Sequence, residues 1–339
     1  MQRKVKIKMK TKYKFSWSDN IIGSFVKRNL GIIIVLMVLM ITLSLVSDVF
    51  LTSQNLITVL KQISHNMCLA LGMTLIIILG GIDLSVGALV AMTGTLCAGF
   101  IVLQGMPIWL AICVTILLGI FCGLFNGTIV AVFKLPAFIV TLVMMNIARG
   151  VAYIYCGGKT VRVMDESFVR IGNTTIGSIP IPVIYMVIFV LIFAFLLNKT
   201  KFGTYIYAIG GNRESARLSG VPIKKIEIAV FAIAGFMSAF AGIVLSARMY
   251  SGQPSVGDGH ELNAIAACVL GGVSMSGGVG TIGGTVLGVM VIGIINNGLN
   301  LLNVSSYWQL VAKGIIILAA VLIDWFKHSD VFKKKFKHN

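Results

Sequence analysis

The stretch Met106 to Phe133, MPIWLAICVTILLGIFCGLFNGTIVAVF, runs for 28 residues without a single charge. A bilayer core is crossed by about 20 consecutive apolar residues in a helix. In hydrocarbon every backbone donor and acceptor needs a partner within the protein, which leaves helices or closed barrels as spanning structures. The stretch is continuously apolar rather than alternating, so it reads as a membrane helix. Outward from it the same pattern recurs. Leu30 to Val46 also carries no charge, and the chain of 339 residues is 57% hydrophobic and 12% charged. Soluble domains carry roughly twice that charged fraction. The expected fold class is all-α, a polytopic membrane protein with about ten transmembrane helices.

The length criterion places spans near 30–47, 59–79, 84–103, 108–133, 136–156, 182–198, 228–249, 262–274, 280–302 and 307–326. The net charge of +17 does not point to nucleic acid, because the charge is segregated. Residues 1–28 hold nine Lys or Arg, 199–225 hold six and 327–339 hold five, together twenty of the 28. Basic residues gather in cytoplasmic segments of membrane proteins. Both termini are therefore expected in the cytoplasm, as a basic extension (1–29) and a basic tail (327–339) around a transmembrane domain (30–326). Loops near 80–84, 133–136, 199–227 and 275–280 fall inside. Those near 48–58, 104–107, 157–181, 250–261 and 303–306 fall outside. No small-residue cleavage pattern follows Leu30–Val46, so the first span is read as retained.

Two polar interruptions stand out. Gly80, Gly81, Asp83, Ser85 and Gly87 break an apolar region, and a carboxylate followed by a serine supplies N-cap chemistry for a new helix, so a structural turn is expected. In the loop 199–227, Asn212 is placed to cap a short helix through Leu218 that contains Arg213, Glu214, Ala216 and Arg217. Gly220 closes it, and Pro222 prevents continuation. Ala216 and Leu218 are expected on one side, as a docking face.

Polar residues within spans either join helices or line a watery path. Gln62 with Asn66, Asn296 with Asn300, and Gln309 with Lys313 are each four apart and share a helix face. With Asn146 they make the candidate path Gln62, Asn66, Asn146, Asn296, Asn300 and Lys313. Arg149 needs a partner or a wet surface. The glycine-dense region around Gly284-x-x-x-Gly288 reads as close helix packing. It has no GxxxxGK[ST], so no nucleotide site is expected on this chain. No catalytic or metal-binding spacing is found, and the six cysteines read as small packing residues. A proton- or sodium-driven transporter would be expected to show conspicuous intramembrane carboxylates. Between Asp48 and Asp165 only Asp83 is acidic, and it lies at a predicted turn. One internal echo links Leu79–Gly87 with Leu270–Gly278.

Several motifs occur in order: Gly-Met-Thr-Leu (72–75), Gly-Gly-Ile-Asp-Leu-Ser-Val-Gly (80–87), Ala-Phe-Ile-Val-Thr-Leu (137–142), Tyr205 to Gly220, Glu261 to Gly272, and Asn296 to Leu302. From about Leu45 to Asp324 the chain resembles the permease subunits of monosaccharide ABC importers, most of all the ribose-type members. The resemblance implies a homodimer in the bacterial cytoplasmic (inner) membrane with the pathway between the copies. It implies an extracytoplasmic sugar-binding protein on one side. A tandem-cassette ATPase subunit on the other side would bind ATP-Mg, with no cofactor on this chain. It makes 212–222 the helix that couples to the ATPase, and a monosaccharide the cargo. Another sugar, a nucleoside or an amino acid is the alternative, and an ion-coupled secondary transporter the more distant one. The lysine-rich N-terminus lies outside the resemblance and suits anionic lipid.

Overall fold

The computed structural model describes residues 21–328. The basic residues before Ile21 and after His328 lie outside that range, and so do the expectations made for them. The first helix, α1 (Ile21–Val46), begins inside the stretch read as an extension. The second, α2 (Ser53–Leu79), is capped by Thr52, whose hydroxyl accepts from the Asn55 amide. It ends at Gly80, whose left-handed φ of 93° closes the helix at little cost because glycine has no Cβ. Then follow α3 (Val86–Val102), α4 (Ile108–Phe133) and α5 (Ala137–Cys156). A connection follows with β1 (Val161–Arg162), α6 (Glu166–Asn173) and the β2 (Thr175–Ile176) to β3 (Ile179–Pro180) hairpin. After it come α7 (Ile181–Lys199), α8 (Lys201–Gly211), α9 (Arg213–Leu218) and α10 (Ile223–Arg248). The chain closes with β4 (Ser251–Gly252), α11 (His260–Leu270), α12 (Ile282–Leu301) and α13 (Ser306–His328).

The centre of the bundle is α2, buried without interruption from Asn66 to Leu79, with α10 beside it. By contrast α1, α4, α5 and α7 turn rows of large apolar side chains outward, among them Leu45, Leu117, Phe121, Ile154 and Leu191. A helix apolar all round belongs in a core or in lipid. Small residues set the packing. A Cβ on Gly123 would fall on the Phe231 carbonyl, and one on Gly288 on the Ala267 carbonyl, so α4 meets α10 and α12 meets α11 at backbone distance. The expected contact through Gly284 and Gly288 is present, since Gly284 abuts the Gly271 carbonyl.

Among the described residues, seven helices are long and apolar enough to cross a membrane by themselves, and three shorter apolar helices accompany them. Each expected span has a helix within it, but α3 has 17 residues and α11 only 11. At 1.5 Å per residue α11 is about 16 Å long, roughly half of a 30 Å hydrocarbon core. The span expected at 262–274 is therefore a half-helix. The segment before it, expected to be an external loop (250–261), is not one along most of its length. It runs down the side of α3: a Cβ on Gly252 would sit 2.7 Å from the Thr95 Cα, and one on Gly257 3.5 Å from the Val90 Cβ. At its lower end Gly257 and Glu261 close on Gly87, at the start of α3. Between the levels of Thr95 and Gly87 the chain descends about 12 Å, mostly through turns. It is a re-entrant segment, tolerable only because protein covers its backbone.

Candidate functional site

The two ends of the bundle differ. At one end the connections after α2, α4 and α8 and the loop before α12 come together. A cavity of about 280 Å³ there is lined by Leu79, Gly80, Lys134, Pro136, Arg213 and Glu227. The start of α1 joins them, since Arg28 and Asn29 border a second cavity of about 370 Å³ with Gly271 and Gly280. At the other end β1 pairs antiparallel with β4, Val161 opposite Gly252, and Asn173 on α6 donates to the Ala247 carbonyl at 2.9 Å. The loops assigned to one side by charge alternation, 80–84, 133–136, 199–227 and 275–280, thus share one end of the molecule.

At that end the short helix forms as its sequence demands. Asn212 accepts from the Ser215 amide at 2.8 Å, α9 covers Arg213–Leu218, and Gly220 takes a φ of 79°. Both guanidinium nitrogens of Arg213 donate to the two carboxylate oxygens of Glu227 on α10, one at 2.9 Å. The Glu227 side chain is only 4% exposed and that of Arg213 50% exposed, so the pair clamps α9 onto α10. On the outer face Arg217 donates to Glu214 at 2.5 Å, and these donors hold the Glu214 carboxyl below its usual range. Ala216 is buried, whereas Leu218 is 76% exposed. The expectation that the two share one side is corrected: two residues apart on a helix they lie about 200° apart. Ala216 packs inward, and Leu218 is left as the exposed knob. Beside it a groove of about 1030 Å³ is lined by Lys134, Glu214, Arg217, Pro222, Lys224 and Lys225.

Residues 80–85 form the expected turn between α2 and α3, with one difference from expectation. Gly80 and Gly81 both return their N–H groups to the last turn of α2. The N-cap position of α3 is Ser85, and no side chain caps that helix. Instead Asp83, buried, accepts from the Ser85 amide at 2.8 Å and from its hydroxyl at 2.6 Å. Asn126 on α4 donates to the same hydroxyl at 3.2 Å, and Thr141 on α5 accepts from the Leu84 amide at 3.0 Å. Gly87 gives room for the re-entrant segment.

The six path candidates do not form one cluster. Gln62 is half-buried on α2 and Asn66 is buried one turn further on. Asn146 is exposed on α5, donating to its own helix at the Leu142 carbonyl, and α5 packs on α3 and α4. Asn296 and Asn300 lie on α12, which packs on α1, α2, α7 and α11. Asn300 accepts from Gln309 at 2.9 Å, so the predicted faces of α12 and α13 do meet. Lys313 is half-buried on α13, which packs against α11.

Sequence reasoning missed the polar centre that the half-helix creates. His260, the first residue of α11, lies against His65 on α2 with ring centroids 5.2 Å apart. Arg149 donates to the carbonyls of Pro254 and Val256, each at 2.7 Å, and pins the re-entrant segment to α5. Its other nitrogen is 3.9 Å from Asp258, whose side chain is 91% exposed. Arg248, at the end of α10, donates to the Lys61 carbonyl at 2.9 Å. The available signals were the shortness of the eighth span and the cluster Gly252, Pro254, Gly257, Gly259. Nothing in sequence spacing could pair residues 65 and 260.

A bundle of outward-facing apolar helices of membrane-spanning length defines a multi-pass membrane protein. The chain belongs to the family described as the permease component of the branched-chain amino acid transport system, whose match covers residues 55–321. It is 42% identical to the ribose import permease protein of Haemophilus influenzae, over 86% of this chain and 91% of that protein. The ribose import permease protein of Bacillus subtilis is 43% identical, over 88% of this chain and 93% of that protein. The L-arabinose transport system permease protein of Escherichia coli is also 43% identical, over 88% and 90%. No solved structure matches the chain. The chain is thus a multi-pass inner-membrane transport subunit and not itself an enzyme.

Proposed function

We propose that this chain is the membrane permease of an ABC importer that brings ribose into the cell by alternating access. The carrying observation is the identity of 42% and 43% to ribose import permeases of two different bacteria, across nearly the whole chain. Two copies form the pathway between them, with both termini in the cytoplasm. A tandem-cassette ATPase binds ATP-Mg and hydrolyses it, and an extracytoplasmic sugar-binding protein delivers the cargo. Selection among sugars rests mostly with that binding protein. The coupling element is 212–222: its capped helix, its clamp to α10 and its exposed Leu218 beside a groove with five cationic side chains, Lys134, Arg213, Arg217, Lys224 and Lys225, suit insertion into a cleft of the ATPase. When the closed cassettes push α9, the seam between the copies opens outward, and hydrolysis restores the inward state.

The test is radiolabelled ribose uptake by proteoliposomes holding this chain with its ATPase and binding protein. Uptake is expected to need both ATP and the binding protein, and Gly220→Glu or Arg217→Glu is expected to abolish it without preventing insertion. Normal uptake by both variants rejects the coupling assignment. Uptake by the chain alone under an ion gradient rejects the function. The likeness to an L-arabinose permease favours arabinose as the second cargo to test, by competition.

A further inference from the structure

We propose that the notch between α1 and the α11–α12 connection holds the headgroup of an anionic phospholipid from the cytoplasmic leaflet. The notch is the cavity of about 370 Å³ described above, within the size range of small-ligand sites. Among the described residues its one charged lining side chain is Arg28, which is exposed and makes no ion pair. No carboxylate borders it, so the site favours an anion. The opposite wall is formed by Leu270, Gly271, Val279 and Gly280. Gly280 is buried, and its carbonyl accepts from the Tyr207 hydroxyl at 2.8 Å. Its amide donates to no group among the described residues. Buried amides without an acceptor are rare, and a phosphate oxygen held by Arg28 would supply one.

The depth of the cavity and the face above it point to a lipid. The helix α12 begins beside the cavity and has 20 residues, about 30 Å, the thickness of the hydrocarbon core. The cavity thus lies level with the headgroups, at the end of the molecule assigned above to the cytoplasm, whose leaflet carries the anionic lipids. From there Arg28, Gly31, Val35 and Val38 follow one another along α1 at intervals of three, four and three residues, which is one helix face. Val35 and Val38 are 48% and 56% exposed, and α1 packs chiefly on α12, so the face stays open. A cation at headgroup level, continued by an exposed apolar row toward the membrane centre, matches an amphiphile. Its phosphate sits at Arg28 and its acyl chain lies along Val35 and Val38. A soluble phosphate would engage the first part alone.

The test titrates the full-length chain, purified in detergent and stripped of lipid, with phosphatidylglycerol or phosphatidylcholine of the same acyl chains. Native mass spectrometry reads the first binding step. Phosphatidylglycerol should bind the more tightly. Arg28→Gln should weaken it about ten-fold, the loss of one charge-assisted hydrogen bond, and leave phosphatidylcholine unchanged. Gly31→Phe keeps the charge and fills the cavity. A Cβ at Gly31 meets nothing within 4 Å, so the packing tolerates the change, and the preference for phosphatidylglycerol should again be lost. Lys199→Gln removes another exposed cation, at the end of α7, and should change nothing. Unchanged phosphatidylglycerol affinity in either cavity variant overturns the site. An equal loss in Lys199→Gln marks diffuse attraction and overturns it too. A fall of equal size for both lipids assigns Arg28 and Gly31 to packing, with the same consequence. Displacement of the lipid by inorganic phosphate makes the ligand a soluble anion, and displacement by the ATPase makes the cavity a protein interface. Either result overturns the lipid assignment. Binding is read without transport, so the outcome stands apart from the cargo proposed above.

Discussion

Replacing Arg213 with methionine removes the cation that clamps α9 to α10 while keeping most of the side-chain stem. What remains is the Glu227 carboxylate, 4% exposed, with its bidentate partner gone. Breaking a fully buried ion pair from one side costs about 3–5 kcal/mol. Arg213 is half exposed, so solvent screening reduces that to about 1.5–3 kcal/mol. The cost falls on the docked state alone, because once α9 lifts away the carboxylate is hydrated in either variant. The population of the lifted state should therefore rise about ten- to a hundred-fold, at 1.4 kcal/mol per factor of ten. Amide hydrogen exchange reads that population directly. In nanodiscs, amides 213–221 should exchange faster by that factor, while those of α12 keep their protection. Adding Glu227→Gln replaces the stranded charge by a neutral amide, so the double variant should exchange more slowly than Arg213→Met alone. If 213–221 exchanges at the original rate, or the double variant is no slower than the single, the clamp does not hold α9.

Other consequences are open to measurement. Asn55 and Asn297 exchange amide hydrogen bonds at 3.1 and 2.8 Å across α2 and α12. Either Asn→Ala change should cost about 1–2 kcal/mol in a detergent unfolding titration, and the pair together less than the sum, because neither leaves an orphan behind. Gly288→Val should fail to give a folded, monodisperse protein in size-exclusion chromatography, since its side chain would occupy the position of the Ala267 carbonyl. Arg149→Met should raise hydrogen exchange across 254–258 and reduce uptake at least several-fold, because two carbonyls lose their donor. Glu214 is held below the usual carboxylate range by Arg217, and such a group loses its contribution only as pH falls through that lowered value. Glu214→Gln should then leave the shape of the uptake profile between pH 5 and 8 unchanged.

Much of this architecture could be read from residue order because hydropathy and capping are local. Every long apolar run has its helix, Asn212 and Gly220 bound α9 as their chemistry requires, and Gly284 with Gly288 packs α12 onto α11. The re-entrant segment could not be read in that way. Polar and glycine-rich chain looks the same in water as it does in a membrane when its carbonyls are satisfied, and here the donor is Arg149, more than 100 residues away. The same holds for α8, where Ile206 and Ile209 are buried by contacts that a loop assignment would not anticipate. Arg149 and Lys313 were identifiable as residues needing a partner. His65 was not, because a lone histidine in an apolar run is silent until the fold brings a second one to it.

At the α9 end, three stretches of main chain touch with almost nothing between them. The Gly278 amide donates to the Ile78 carbonyl at 2.7 Å, Gly210 lies against both, and a Cβ on Gly277 would be 3.2 Å from the Gly80 Cα. Side chains have rotamers that absorb displacement, whereas stacked peptide planes have little compliance. A displacement of the end of α8 would therefore meet little cushion before it reached the end of α2 and the connection between α11 and α12. The joint behaves as a stiff strut, so under the proposed coupling, travel at this end would follow the movement imposed on α9 and not slack in the bundle. Enlarging any of these glycines would act as a shim, displacing the resting position of the whole lever.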